Sequence, residues 1–119
     1  MNRDKTFLVD TVWGLVSWAD GELIQWNADG TVMLRFDGHR GAVTGALVDA
    51  TWGLVSWDNK GELIQWDADG TVRQRFVGQT GGVHSALVDS DWGLITAFEN
   101  GTLMCFSLEG SAIRFRQNP

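Results

Sequence analysis

The chain has one proline, one cysteine, two histidines and no tyrosine among its 119 residues. The proline is Pro119, the last residue, so no proline interrupts any element before it. A lone Cys105 excludes an internal disulfide. His39 and His84 stand apart, and no His/Cys/Asp cluster has the spacing of a metal site. Neither a metal nor a cofactor is expected. Positive charge is scarce: nine Lys and Arg face fifteen Asp and Glu, for a net charge of −6. That balance excludes a phosphate-binding nucleic-acid surface, which needs clustered cations, and an anionic membrane surface. No apolar run approaches the ~18–20 residues of a membrane span. The opening MNRDKTFLVD contains no apolar signal core, and a cytoplasmic location is expected.

What is abundant is tryptophan, glycine and repetition. There are seven Trp, six Phe and fifteen Gly, and 44% of residues are apolar, which suits a packed core and not a disordered chain. WGLVSWADGELIQW (13–26) returns as WGLVSWDNKGELIQW (52–66). Gly21, Gly61 and Gly101 are forty apart, as are Gly30, Gly70 and Gly110; Trp26, Trp66 and Phe106 keep the same step. Trp13, Trp52 and Trp92 are spaced 39 and 40, because copy one is a residue shorter between Trp18 and Gly21. Residues 1–119 are therefore expected to form a single domain of three units, at about 4–38, 41–78 and 81–116.

Each unit holds four short apolar runs separated by turn residues. In copy two these are VTGALV (43–48), GLVSW (53–57), ELIQW (62–66) and TVRQRF (71–76). Runs this short and rich in Val, Trp and Phe suit strands, and Asp29-Gly30 and Asp69-Gly70 are hairpin signals. The pattern predicts a four-stranded antiparallel meander with strands a, b, c and d. GLVSW and ELIQW carry large apolar groups on both faces, as in sheets covered on both sides. Stacking the units around an axis provides that cover. The predicted fold is all-β, a β-propeller with three four-stranded blades.

These residues resemble the WD-repeat family of propellers over essentially the whole chain. QWD (65–67) and QWN (25–27) look like its Trp-Asp, DGELIQW (20–26) like its Asp-Gly-led strand c, and Gly38-His39 like its Gly-His. The resemblance implies a hydrogen-bonded tetrad of Asp, His, Ser or Thr, and Trp. Copy one offers Asp20, Ser17 and Trp26 without a preceding Gly-His. Copy two offers His39, Ser56 and Trp66, with Lys60 where the Asp is expected. Copy three offers Gln79, Asn100, Thr96 and Phe106.

Three blades cannot surround an axis, since propellers close with about four to eight. An open wedge leaves two blade faces bare, roughly 300–400 Å² each from strand spacing and length. Bare apolar faces of this kind seek partners. The chain opens at strand a and ends at strand d, so whole blades meet head to tail in a heterologous, ring-closing contact. The partner is then the chain itself: a homotrimer of nine blades is the first expectation, a homodimer of six the second.

Chemistry-bearing motifs are sparse. No Ser-His-Asp arrangement is suggested by spacing, TGGV (80–83) lacks the Lys-Ser/Thr of a phosphate loop, and no catalytic residue is expected. One motif recurs in all copies: Asp10/Trp13, Asp49/Trp52 and Asp89/Trp92, each in the a–b turn. An exposed Trp beside an Asp can stack on a sugar and accept its hydroxyl hydrogens. A Trp tucked between blades with Asp bonding turn amides is the favoured account of the motif. A non-enzymatic interaction scaffold binding proteins is the leading functional expectation, and a multivalent carbohydrate-binding ring is the alternative. The near-identity of copies one and two also fits a recently amplified or engineered propeller without an evolved ligand.

Overall fold

The computed structural model describes residues 6–19, 21–78 and 81–115. They form twelve strands: β1 Phe7–Asp10, β2 Gly14–Ala19, β3 Glu22–Trp26, β4 Val32–Phe36, β5 Val43–Asp49, β6 Gly53–Asp58, β7 Glu62–Trp66, β8 Val72–Val77, β9 Val83–Asp89, β10 Gly93–Phe98, β11 Leu103–Phe106 and β12 Ala112–Phe115. They make three antiparallel meanders, β1–β4, β5–β8 and β9–β12, each built from one consecutive stretch of chain. We call these blades 1, 2 and 3. Among the described residues no helix is long and apolar enough to cross a membrane.

The a strands converge: β5 touches β1 on one side and β9 on the other. Blade 2 is therefore the middle of the wedge. The period-2 alternation of a strand sends neighbouring side chains to opposite faces, so each blade has a front, toward lower residue numbers, and a back. The backs of blades 1 and 2 pack on the fronts of blades 2 and 3. Between blades 1 and 2 lie Leu8, Val16, Trp18, Leu23 and Phe36 against Val43, Leu54, Ile64 and Trp66. Between blades 2 and 3 lie Trp52, Val55, Trp57, Leu63 and Phe76 against Val83, Leu94, Phe98, Met104 and Phe106. The sheets are not closed into a ring.

The c–d turns need a left-handed residue, and glycine supplies it: φ is +89° at Gly30, +90° at Gly70 and +93° at Gly110. In each, the residue five before the strand-d start accepts the chain back, as Asn27 N donates to Thr31 O and Gly30 N to Asn27 O. Asp29 and Asp69 each accept both the amide and the hydroxyl of the following Thr, at 2.6–3.0 Å. Those bonds hold both carboxyls below the usual carboxylate range.

Strand d differs between copies by one residue: Phe follows the turn glycine by six at Gly30 and Gly70 and by five at Gly110. Blades 1 and 2 carry a bulge between strands c and d, at Gln25/Trp26 and Gln65/Trp66. Blade 3 pairs without one. Phe115 therefore lies opposite Leu103 just as Phe36 lies opposite Leu23 and Phe76 opposite Leu63.

Candidate functional site

The most polar cluster in the interior surrounds His39, on the connection from blade 1 into blade 2. Its Nδ1 lies 2.7 Å from Asp58 Oδ2 and its Nε2 lies 2.6 Å from Ser56 Oγ. Trp66 Nε1 donates to the same Ser56 Oγ at 2.8 Å. An indole N–H can only donate, so the Ser56 hydroxyl hydrogen is left for Nε2, and the imidazole is neutral with its proton on Nδ1, donating to Asp58. Burial lowers the His39 pKa below its ordinary value, more than the Asp58 carboxylate raises it. Asp58 is saturated: its Oδ1 accepts the amides of Lys60 and Glu62 at 2.9 and 3.0 Å.

The acid of this tetrad is thus Asp58, the last residue of β6, and not the Lys60 position where the family pattern had placed it. Copies one and two differ in length at this turn. The extra residue belongs to the exposed Asn59-Lys60 tip, which leaves Asp58 directly after Trp57. His39, Ser56 and Trp66 come together; in blade 1 Trp26 Nε1 donates to Ser17 Oγ at 2.8 Å, and Asp20 lies outside the described residues. In blade 3 the place of Asp58 is taken by Phe98 and that of Trp66 by Phe106, both buried, while Asn100 Oδ1 accepts the amide of Thr102 in its own turn. Gln79 lies outside the described residues.

Asp58, His39 and Ser56 have the connectivity of a nucleophile triad, a juxtaposition that spacing did not reveal. It is sealed: Ser56 and Asp58 have no exposed surface, and the Ser56 oxygen already receives the Trp66 N–H. His39, Asp58 and Glu62 also place one ligand atom each within 4.8 Å of one another. Arg75 already supplies the positive charge there. Its Nη1 donates to Glu62 Oε2 and to Gly38 O, both at 2.9 Å, locking the inter-blade connection onto blade 2. Gly38 suits a close approach, since a side chain on it would meet Trp66 Cη2 at 3.0 Å.

The a–b turns form one rim. Asp10 Oδ2 accepts the amides of Val12 and Trp13, Asp49 Oδ2 those of Thr51 and Trp52, and Asp89 Oδ2 those of Asp91 and Trp92, all at 2.8–3.0 Å. The two amide bonds hold Asp89 below the usual carboxylate range. The three indoles have different surroundings. Trp52 is buried at 5% exposure, Trp13 is half-buried against Phe36, and Trp92 is 56% exposed with the Phe115 ring beside it. Gln25 and Gln65 donate to the carbonyls of Trp13 and Trp52 at 2.8 and 2.9 Å, pinning those turns. Blade 3 has Cys105 at that position, with no amide to offer; its thiol pKa is raised by burial and then by the Asp89 charge. An open cavity of about 390 Å³ lies on this rim, lined among others by Asp49, Trp52, Asp89, Trp92 and Glu109.

The indoles also report on the joints. A side chain at Gly53 would meet Trp13 Cζ2 at 3.6 Å, and one at Gly93 would meet Trp52 Cζ2 at 3.8 Å. Each indole therefore lies over the strand-b glycine of the next blade. Gly14, the counterpart in blade 1, has nothing within 4 Å. It opens instead on a mainly apolar cavity of about 430 Å³, lined by Gly14, Leu15, Trp26, Asn27, Ala28 and Gly30. On blade 1's front Phe7, Val9, Leu15 and Val32 are exposed, and on blade 3's back Leu87, Trp92, Leu103 and Ile113 are exposed.

No protein-family model and no curated protein matches the chain. Among solved structures it is similar to the WD40 β-propeller domain of Doa1, with a TM-score of 0.76 and 18% identity over 94% of this chain and 40% of that one. It is also similar to the C-terminal WD40 domain of Sif2, with a TM-score of 0.74 and 19% identity over 87% of this chain and 31% of that one. The chain thus spans less than half the length of these two solved chains. The likeness establishes the fold as three blades of a WD40-type β-propeller, in agreement with the resemblance carried by Gly38-His39 and QWD.

Proposed function

We propose that the chain is a non-enzymatic propeller segment that closes into a ring with further copies of itself, and that the ring serves as a protein-interaction scaffold. One observation carries the reading. Two indoles are seated over the glycine of the following blade, whereas Trp92 is exposed and the Gly14 cavity is open. One chain thus holds the knob and the hole of the same joint at its two ends. The apolar character of both bare faces supports the same occupant, because exposing them costs about 25 cal/mol per Å². The contact is heterologous, so it repeats until it closes. Nine blades from three chains is the preferred ring and six from two chains the next. Rigid strands then present the loops of all blades as one continuous surface, the feature that suits propellers to binding proteins.

Light scattering across a dilution series tests assembly, with Trp92→Ala as the variant. The wild type is expected to run as a closed oligomer, and the variant to dissociate at concentrations at least about tenfold higher. A wild type that stays monomeric throughout contradicts the reading. The scaffold role is tested by pulling partners down with the ring and with the Trp92→Ala chain; partners that prefer the ring support it.

The rim cavity beside Trp92 favours a second reading, carbohydrate binding. It competes with the first for the same indole. Glycan binding that survives in the assembled ring and is lost in Glu109→Gln supports it; absence of binding to any glycan removes it.

A further inference from the structure

At one register position the two bare faces depart from the rest of the molecule, and they depart in opposite senses. On the backs, the residue beside Leu23 is Trp18, and beside Leu63 it is Trp57. Beside Leu103 it is Ala97. On the fronts, the residue of strand a opposite the strand-b hydroxyl is Ala46 opposite Ser56 and Ala86 opposite Thr96. Opposite Ser17 it is Phe7. Trp18 and Ala46 pack in the cluster between blades 1 and 2, and Trp57 and Ala86 in the cluster between blades 2 and 3. Each internal joint therefore carries a large ring on the back and a methyl on the front within one packed cluster. The two open faces carry the converse pair, with a methyl at Ala97 and a ring at Phe7, which is 54% exposed.

We propose that Phe7 and Ala97 are the specificity key of the joint between copies: Phe7 of one chain fills the space left by Ala97 of the next. This rests on the ring reading above and goes beyond it, because it assigns which residues choose the partner. The exchange keeps one aromatic ring and one methyl at every joint, so packing is maintained around the ring. It also rejects the wrong joints. Blade 1's front offered to the back of blade 1 or 2 would set Phe7 against Trp18 or Trp57. Blade 3's back offered to the front of blade 2 or 3 would set Ala97 against Ala46 or Ala86 and leave a void. In a chain whose blades are nearly interchangeable, such a device keeps the copies in order.

The test is an exchange experiment on the full chain: wild type, F7A, A97W and the double variant F7A/A97W, each measured by light scattering over a dilution series. Both positions lie on faces that are bare in the single chain, and circular dichroism of the diluted protein confirms that each variant folds. F7A and A97W are each expected to weaken association at least about tenfold, by void and by overpacking. The double variant, made with S85G because the Trp57 ring of blade 2 lies on Gly45 where blade 3 has Ser85, restores the internal pair and is expected to return to within about threefold of the wild type. A97L repeats the overpacking arm should A97W be poorly soluble. An A97W chain that assembles like the wild type, or a double variant no better than the weaker single one, overturns the key while leaving an assembled wild type and the ring reading intact. A wild type that never assembles removes the ring reading itself.

Discussion

Strands β3 and β7 have the same five residues, Glu-Leu-Ile-Gln-Trp, and occupy the same place in their blades. All five are buried in β7; in β3 only Leu23 and Gln25 are buried. Glu62 is 8% exposed where it meets Arg75, whereas Glu22 is 62% exposed where it meets Arg35 at 3.1 Å. Identical sequence thus sits in two environments because blade 2 has neighbours on both sides and blade 1 has one. The hydrophobicity of β3's front, read alone, describes a surface that the single chain leaves uncovered.

Removing the same side chain from each strand should give the largest contrast. Ile64→Ala leaves a void in a fully buried site and should lower stability by about 2–5 kcal/mol in denaturant melts. Ile24→Ala should cost under about 1 kcal/mol in the isolated chain. In the proposed ring its cost should rise toward that of Ile64→Ala, a difference read by melting at high and low protein concentration.

The next largest effect lies in the buried network. Asp58→Ala leaves the Lys60 and Glu62 amides and His39 Nδ1 without their acceptor, and a loss of about 2–4 kcal/mol is expected. The same network gives a pH dependence. The folded pKa of His39 is lowered, so below about 6.5, the ordinary value, the unfolded chain binds the extra proton first. The contribution of His39 is full above that pH and is lost as pH falls toward the folded value. Urea titrations at stepped pH should show the fall in the wild type and a flatter profile in His39→Gln. The smallest contrast is between ion pairs: Arg75→Ala should cost about 1–2 kcal/mol through Glu62 and Gly38, and Arg35→Ala under about 0.5 kcal/mol.

Repetition made the fold readable before any coordinates. The forty-residue step of Gly21, Gly61 and Gly101, with four short runs per copy, leaves little but a four-stranded meander used three times. The tetrad was harder, because its acid lies beside a length change. Spacing counted back from Gly61 gives Lys60, whereas the fold counts forward from Trp57 and gives Asp58. A polar residue next to a strand-b Trp was the available signal. Alternation did not place the bulge of strands c and d, but its loss in blade 3 follows a length change, since Phe115 lies five residues after Gly110 where Phe76 lies six after Gly70. The Asp-x-x-Trp-Gly turns show why a motif does not state exposure. Three copies of one pattern give a buried, a half-buried and an exposed indole: Trp52 has a blade on both sides, Trp13 only a following one and Trp92 only a preceding one.

In the proposed ring the exposed end of blade 3 and the open front of blade 1 are two halves of one joint. Its most direct measurement is the solution mass by light scattering at micromolar concentration. The expected result is three times the 13.1 kDa chain mass, with two chains as the smaller closed ring. A single, stable species at 13.1 kDa across all concentrations would contradict it.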